Sequence, residues 1–158
     1  MTPQLKAFLD TIAHSEIGQG LLIRSADGYN VLVGSTPAAP KLFTSYADHP
    51  RVLVDLGNGL KSTAAGRYQI LARYFDVYKK QLGLSDFSPA SQDAIAVQLI
   101  RECQAIDDIS NGHIEAALYK CRSRWASLPG ASYGQHENRM VDLLGAFRAA
   151  GGIVVAST

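Results

Sequence analysis

A chain of 158 residues with a net charge of +1 and 18% charged side chains is sized for one domain with a substantial core, and it carries no field that would select nucleic acid or a membrane surface. No window approaches ~20 uninterrupted apolar residues, and Met1–Lys6 places no basic run before an apolar stretch. Neither a membrane span nor a secretory leader is expected; a soluble cytosolic chain is.

The first predicted element is a helix from about Pro3 to Glu16, with proline suited to the first turn. Leu5, Phe8, Leu9 and Ile12 recur at the spacing of one helical face, and Glu16 continues that stripe. The glycines that follow, Gly18 and Gly20, stop the helix. A carboxyl at a helix C-terminus on the apolar side is pushed towards its protonated form by desolvation and by the helix dipole. That is what a general acid near neutral pH requires. The competing reading is a helix-end glutamate whose carboxylate turns out to water.

Residues 17 to 60 change character. Tyr29–Val33 reads as a strand opened by the turn pair Asp27-Gly28, and Leu42–Tyr46 as a second, separated by a proline-containing loop. From Ser62 onward the pattern is helical. Ser62 or Thr63 can cap a helix whose stripe is Tyr68, Leu71, Ala72, Phe75, Tyr78 and Leu82, ended by Gly83. Ser88-Pro89 opens a largely apolar helix running to Cys103. Asn111-Gly112 opens another, with Ile114, Ala117, Leu118, Cys121 and Trp125 on one side. A loop at 128–134 precedes a last helix bearing Met140, Leu143, Leu144 and Phe147, ended by Gly151-Gly152. Cys103 and Cys121 fall on apolar helical positions and read as buried free thiols, with a disulfide left open. His14, His49, His113 and His136 are scattered without ligand spacing, so no metal is expected.

A helix ending in an acid, then a small sheet, then a helical lobe, is the layout of a lysozyme. The chain resembles the lambda-type phage endolysins, lytic transglycosylases of the lysozyme superfamily. The resemblance rests on Lys6–Asp10, Ser15-Glu16, Gly28-Tyr29, Leu42–Thr44, Asp48–Arg51, Leu60–Gln69, Lys80–Leu84, Asp86–Pro89, Ser91–Ala94, Trp125–Ala131 and Tyr133–Gln135, in order along nearly the whole chain. Ile17-Gly18 after the glutamate, the apolar Leu21–Ile23 and the loop bearing Pro37 and Pro40 depart from the family pattern. These departures fall at the lips of the expected cleft and leave the acid in place. The implied fold is α+β and lysozyme-like: one catalytic domain over 1–158, with a small β-rich lobe at about 17–60 and a helical lobe at about 61–152 flanking a substrate cleft.

The resemblance maps the family's catalytic acid onto Glu16 and points to a groove lined by Gln69, Tyr133, Tyr68 and Ser62. An amide at Gln69 suits a sugar acetamido or hydroxyl group, and a ring at Tyr133 suits a sugar face. Against this, Tyr68 lies on the apolar stripe as a core residue would, and Ser62 and Thr63 serve equally as helix caps. Two-carboxylate glycosidases place their acids roughly 5–5.5 Å or 6.5–9.5 Å apart. Asp10, Asp27, Asp48 and Asp55 are the candidates for a second one, and each reads as solvated, turn-forming or locally paired. A transglycosylase needs none, because the muramic acid's own C6 hydroxyl attacks C1 and a 1,6-anhydro end results. The expected substrate is bacterial peptidoglycan, cut without a cofactor by a monomer. Nucleic acid and membrane insertion are not expected. The resemblance, together with the absent leader, implies that the chain is held in the host cytoplasm until a separate holin-type protein releases it to the cell wall. A hydrolytic muramidase on the same fold and a non-catalytic glycan-binding protein are the alternatives.

Overall fold

A computed structural model describes residues 1–131 and 136–156. Seven helices and one two-stranded sheet are formed among them: α1 (Pro3–Glu16), α2 (Gln19–Ile23), β1 (Val54–Gly57), β2 (Leu60–Ser62), α3 (Ala72–Leu82), α4 (Pro89–Glu102), α5 (Ile106–Ser110), α6 (Ile114–Cys121) and α7 (Met140–Ala149). No described helix is long and apolar enough to cross a membrane. The chain divides into two compact units, one made of Met1–Glu16 with Ala96–Thr158 and the other of Ile17–Ile95.

The first unit is helical. Helix α1 packs against α5 and α7, and α6 packs against both α5 and α7. Phe8, Ile12 and Ala13 of α1 are wholly buried, as are Ala117, Leu118 and Cys121 of α6 and Leu143 and Phe147 of α7. Trp125 and Leu128, beyond α6, complete this core. Phe147 also fixes the chain's exit. A Cβ at Gly152 would run into its ring, so only glycine lets the backbone turn so closely past the end of α7. Beyond that turn, the Val155 N–H is donated to the Gly112 carbonyl at 2.9 Å.

The second unit holds the sheet. Strands β1 and β2 form an antiparallel hairpin in the register Val54↔Ser62, Asp55↔Lys61 and Gly57↔Leu60, with an irregularity between Asp55 and Gly57. Its turn carries three successive left-handed residues, Gly57, Asn58 and Gly59. That stretch is therefore the turn of a hairpin that the reading of residues 17–60 did not anticipate.

The strands expected at 29–33 and 42–46 reduce to one bridge between Val31 and Leu42. Two bonds flank it, Leu32 N–H to Lys41 O and Phe43 N–H to Asn30 O, both 2.9 Å. The reason is divided pairing: Leu32 also bridges Ala65, and the Val33 N–H goes to Ala64 O. A third departure is α2, a helical turn formed directly after Gly18, whose φ of +85° breaks α1.

Helix α3 begins at Ala72 rather than at Ser62 or Thr63. Residues 65–70 make a tight reversal instead, with Ala65 and Ile70 exchanging both backbone bonds. Gly66 (φ +83°) and Gln69 (φ +51°) are left-handed there, which no helix admits. Leu71 is the N-cap, and Thr63 serves the helix only from a distance: its Oγ1 accepts the Ala72 N–H at 3.0 Å across nine residues. Gly83 ends α3 in the left-handed conformation, giving its N–H to the Lys79 and Lys80 carbonyls.

Candidate active site

Glu16 is the last residue of α1. The residue is neither fully buried nor exposed. Burial pushes its carboxyl up to about 7, and a hydrogen bond from Ser127 opposes the shift. In the turn of α1 that precedes it, Ile12 and Ala13 are completely buried, and Ser15 is nearly so. The result is an acid half-protonated near neutrality, able both to give a proton and to take one back.

Ser15 and Glu16 are anchored from distant sequence. Ser15 Oγ lies 2.7 Å from Ser127 Oγ. The Asn138 amide nitrogen donates to the Ser15 carbonyl and to Ser15 Oγ, each at 3.0 Å. The Asn138 backbone N–H donates to the Ser127 carbonyl at 2.8 Å. Sequence reasoning matched Ser127 within Trp125–Ala131 but gave it no role, and it missed Asn138 altogether. A serine and an asparagine in a loop carry no spacing signal for contacts with partners 112 and 123 residues away.

The aspartates weighed as second carboxylates are all engaged locally. Asp10 pairs with Lys6 at 3.2 Å, Asp27 with Arg67 at 3.6 Å and Asp48 with Arg51 at 2.9 Å. Asp55 Oδ1 accepts the Gly57 N–H at 2.9 Å within the hairpin. The Arg51 guanidinium holds the Asp48 carboxyl below its ordinary range.

Ser62, Tyr68 and Gln69 belong to the second unit. Ser62 is partly exposed at the end of β2, and its Oγ accepts the Ala64 N–H at 3.1 Å. Tyr68 is 1% exposed. Its hydroxyl donates to Asp93 Oδ1 at 2.6 Å, where the Tyr29 hydroxyl also donates at 2.9 Å. Burial drives the Tyr68 phenol far above its usual range, and that of Tyr29 up to about 12. Arg67 joins the cluster, donating to the Tyr68 hydroxyl at 3.1 Å and lying over both tyrosine rings. Gln92, wholly buried, accepts the Arg67 N–H and donates to the Tyr29 and Phe87 carbonyls. The cluster locks the 65–70 reversal in place, so Tyr68 supports the turn from beneath.

Gln69 stands at the left-handed corner of that turn and is partly exposed. Its amide nitrogen is committed to the Gly66 carbonyl at 2.8 Å and the Val31 carbonyl at 3.3 Å. The group left for a ligand is the amide oxygen, an acceptor for a hydroxyl or N–H. Tyr133 lies outside the described residues.

Among the described residues, no cluster of His, Cys, Asp and Glu is arranged to hold a metal ion. His49 is buried, its Nε2 at 2.8 Å from the Ile70 carbonyl and its Nδ1 accepting the Arg51 N–H. Both ring nitrogens are thus used in holding the turn. Cys103 and Cys121 are free thiols that hydrogen-bond to each other.

The chain matches the Endolysin family over residues 6–154. It is 52% identical over 152 residues to the endolysin of Escherichia phage lambda, covering 96% of this chain and 93% of that one. It is 47% identical over 154 residues to the endolysin of Escherichia phage P2, covering 94% and 93%. Among solved structures it superposes on bacteriophage lambda lysozyme complexed with a chitohexasaccharide, with a TM-score of 0.92 at 51% identity over 98% of both chains. A second lambda lysozyme structure gives a TM-score of 0.88 at 50% identity.

Proposed function

The chain belongs to the endolysin family, and on that premise we infer that it is a peptidoglycan lytic transglycosylase that degrades the bacterial cell wall in host lysis. It cleaves the β-1,4 bond between N-acetylmuramic acid and N-acetylglucosamine and leaves a 1,6-anhydro-N-acetylmuramic acid end. The observation that carries the mechanism is the desolvated carboxyl of Glu16 at the end of α1, raised to about 7. Protonated Glu16 donates to the bridging oxygen as the C1–O bond breaks. The resulting carboxylate then takes the proton of the muramic acid C6 hydroxyl as O6 closes onto C1. The nucleophile is tethered to its electrophile, so the attack has the high effective concentration of an intramolecular step and needs no activated water. A single carboxyl serves both halves and ends the cycle protonated.

The engagement of Asp10, Asp27, Asp48 and Asp55 with local partners favours this route over a hydrolytic muramidase. The chitohexasaccharide held by the lambda relative supports a saccharide substrate here. In this reading the whole chain works as one catalytic domain and as a monomer. Gln69 presents its amide oxygen to the glycan, with Ser62 and Tyr133 as further contacts and Tyr68 acting through the turn it supports. The enzyme waits in the host cytoplasm until a holin-type protein opens the way to the wall.

Mass spectrometry of the muropeptides released from purified peptidoglycan tests the chemistry. The expected product is lighter than the hydrolytic one by one water, and Glu16→Gln releases none while keeping the parent's circular dichroism spectrum. Reducing-end muropeptides would assign the attack to water and return the search to a second carboxylate. Substantial turnover by folded Glu16→Gln would remove Glu16 from its role.

A further inference from the structure

We propose that Ser127 and Asn138 are positioning residues for this reaction, members of a directional hydrogen-bond chain that runs from Asn138 through Ser15 and Ser127 and ends on the Glu16 carboxylate. The inference rests on the assignment of Glu16 as acid and base.

The direction follows from proton counting. The Ser15 backbone carbonyl can only accept, so the Asn138 side chain 3.0 Å away must present its nitrogen there. That nitrogen also lies 3.0 Å from Ser15 Oγ and donates to it. Once Glu16 is ionised its carboxylate can only accept, so the bond it shares with Ser127 takes the single hydroxyl proton of Ser127. In its 2.7 Å contact with Ser15, Ser127 therefore accepts, and Ser15 donates. Each hydroxyl accepts one bond and donates one, so the chain has one consistent polarity, and no buried side-chain polar atom among the described residues lacks a partner.

The chain does two things for the chemistry. The Ser15 carbonyl is one of the last in α1, a group with no partner inside the helix, and Asn138 supplies one. The final turn is thereby pinned, and with it the backbone from which Glu16 projects. At the far end, the Ser127 hydroxyl stabilises the anion that exists only after the first proton has been given. A carboxylate stripped of water but given one donor survives long enough to act as base.

The test is steady-state turnover of soluble, uncrosslinked peptidoglycan strands by Ser127→Ala, Ser127→Thr, Asn138→Ala and the double variant Ser127→Ala/Asn138→Ala. Glu16→Gln is assayed alongside, and every melting temperature is recorded. Loss of one hydrogen bond to a charged group predicts that Ser127→Ala lowers kcat roughly ten- to hundredfold with KM unchanged. Ser127→Thr, which keeps the hydroxyl, recovers most of it. Asn138→Ala loses less, and the double variant falls short of the product of the two single losses, because the bond from Asn138 to Ser15 Oγ acts through Ser127. A kcat within twofold of the parent for folded Ser127→Ala overturns the proposal. So does a loss confined to KM, failure of threonine to rescue, or full multiplicative loss in the double variant. An inactive Glu16→Gln beside a normal Ser127→Ala refutes this inference alone; an active Glu16→Gln refutes the assignment beneath it.

Discussion

Glu16 combines a position legible in the sequence with a setting that only the fold supplies. Its place on the apolar stripe of α1 follows from helical period, and the helix ends where the glycine signal says. Burial then raises the carboxyl to about 7. In the proposed mechanism Glu16 must be protonated when substrate arrives, so kcat/KM should hold on the acid side and fall as pH rises through about 7. A pH–rate profile on soluble strands checks this, and a rate unchanged to pH 9 would contradict it. The other half of the site was less legible. Ser127 and Asn138 reach α1 across more than a hundred residues of sequence. Periodicity, which reports one element at a time, contains no trace of such a contact. Gln69 and Tyr68 show a milder form of the same problem. Tyr68 reads as part of a helix stripe and Gln69 as its neighbour one position off it, whereas the left-handed corner at Gln69 divides them between a partly exposed amide and a buried ring.

At the scale of elements, the helices with end signals were readable. Pro3, Gly83, Pro89 and Gly151 stand where the structure starts or stops a helix. Residues 63–71 were not, because their apolar spacing suits a helix while their backbone bonds serve Val31, Ala65 and Ile70. Glycines separate the two situations experimentally. A Cβ at Gly66 would require a strained positive φ and would collide with Gln92 Oε1, which is fixed by its bond to the Arg67 N–H. Gly66→Ala should therefore lower unfolding stability by about 2–3 kcal/mol. Gly145, in the exposed middle of α7 with nothing within 4 Å of its Cβ position, should respond oppositely. Gly145→Ala should gain about 0.5–1 kcal/mol from helix propensity. Thr63→Val, which removes the bond to the Ala72 N–H without changing shape, should lose about 1 kcal/mol. Urea denaturation curves for the three variants read these differences directly. Equal responses at Gly66 and Gly145 would mean that the 65–70 reversal is not held as described.

For the molecule as a whole, the acid proposed for catalysis and the groups that fasten the fold pull stability in opposite directions with pH. Glu16 titrates at about 7 in the folded chain against an ordinary 4.5, so between those values the folded state binds the extra proton. Its contribution to stability is therefore present at acid pH and is lost as pH rises towards 7. At 1.36 kcal/mol per unit of pKa shift, the loss is a few kcal/mol at most. His49 works the other way. Burial holds its imidazole below the usual range, so its contribution is present above the unfolded value of 6.5 and is lost as pH falls. Asp48, Asp76 and Asp86, held below 3.8 by Arg51 and by the Ser88 and Ser91 hydroxyls, add losses only in stronger acid. Measured alone, the parent's stability curve mixes all of these. Its difference from Glu16→Gln isolates one, because glutamine keeps the shape and cannot ionise. The variant should match the parent near pH 5 and exceed it at pH 8, while its activity is gone at both. Such a crossing would identify the acid as a group kept at the expense of stability, as expected of a residue selected for proton transfer. A difference that stays constant from pH 5 to pH 8 would mean that Glu16 titrates like any surface glutamate, and the proton economy proposed for the reaction would fail with it.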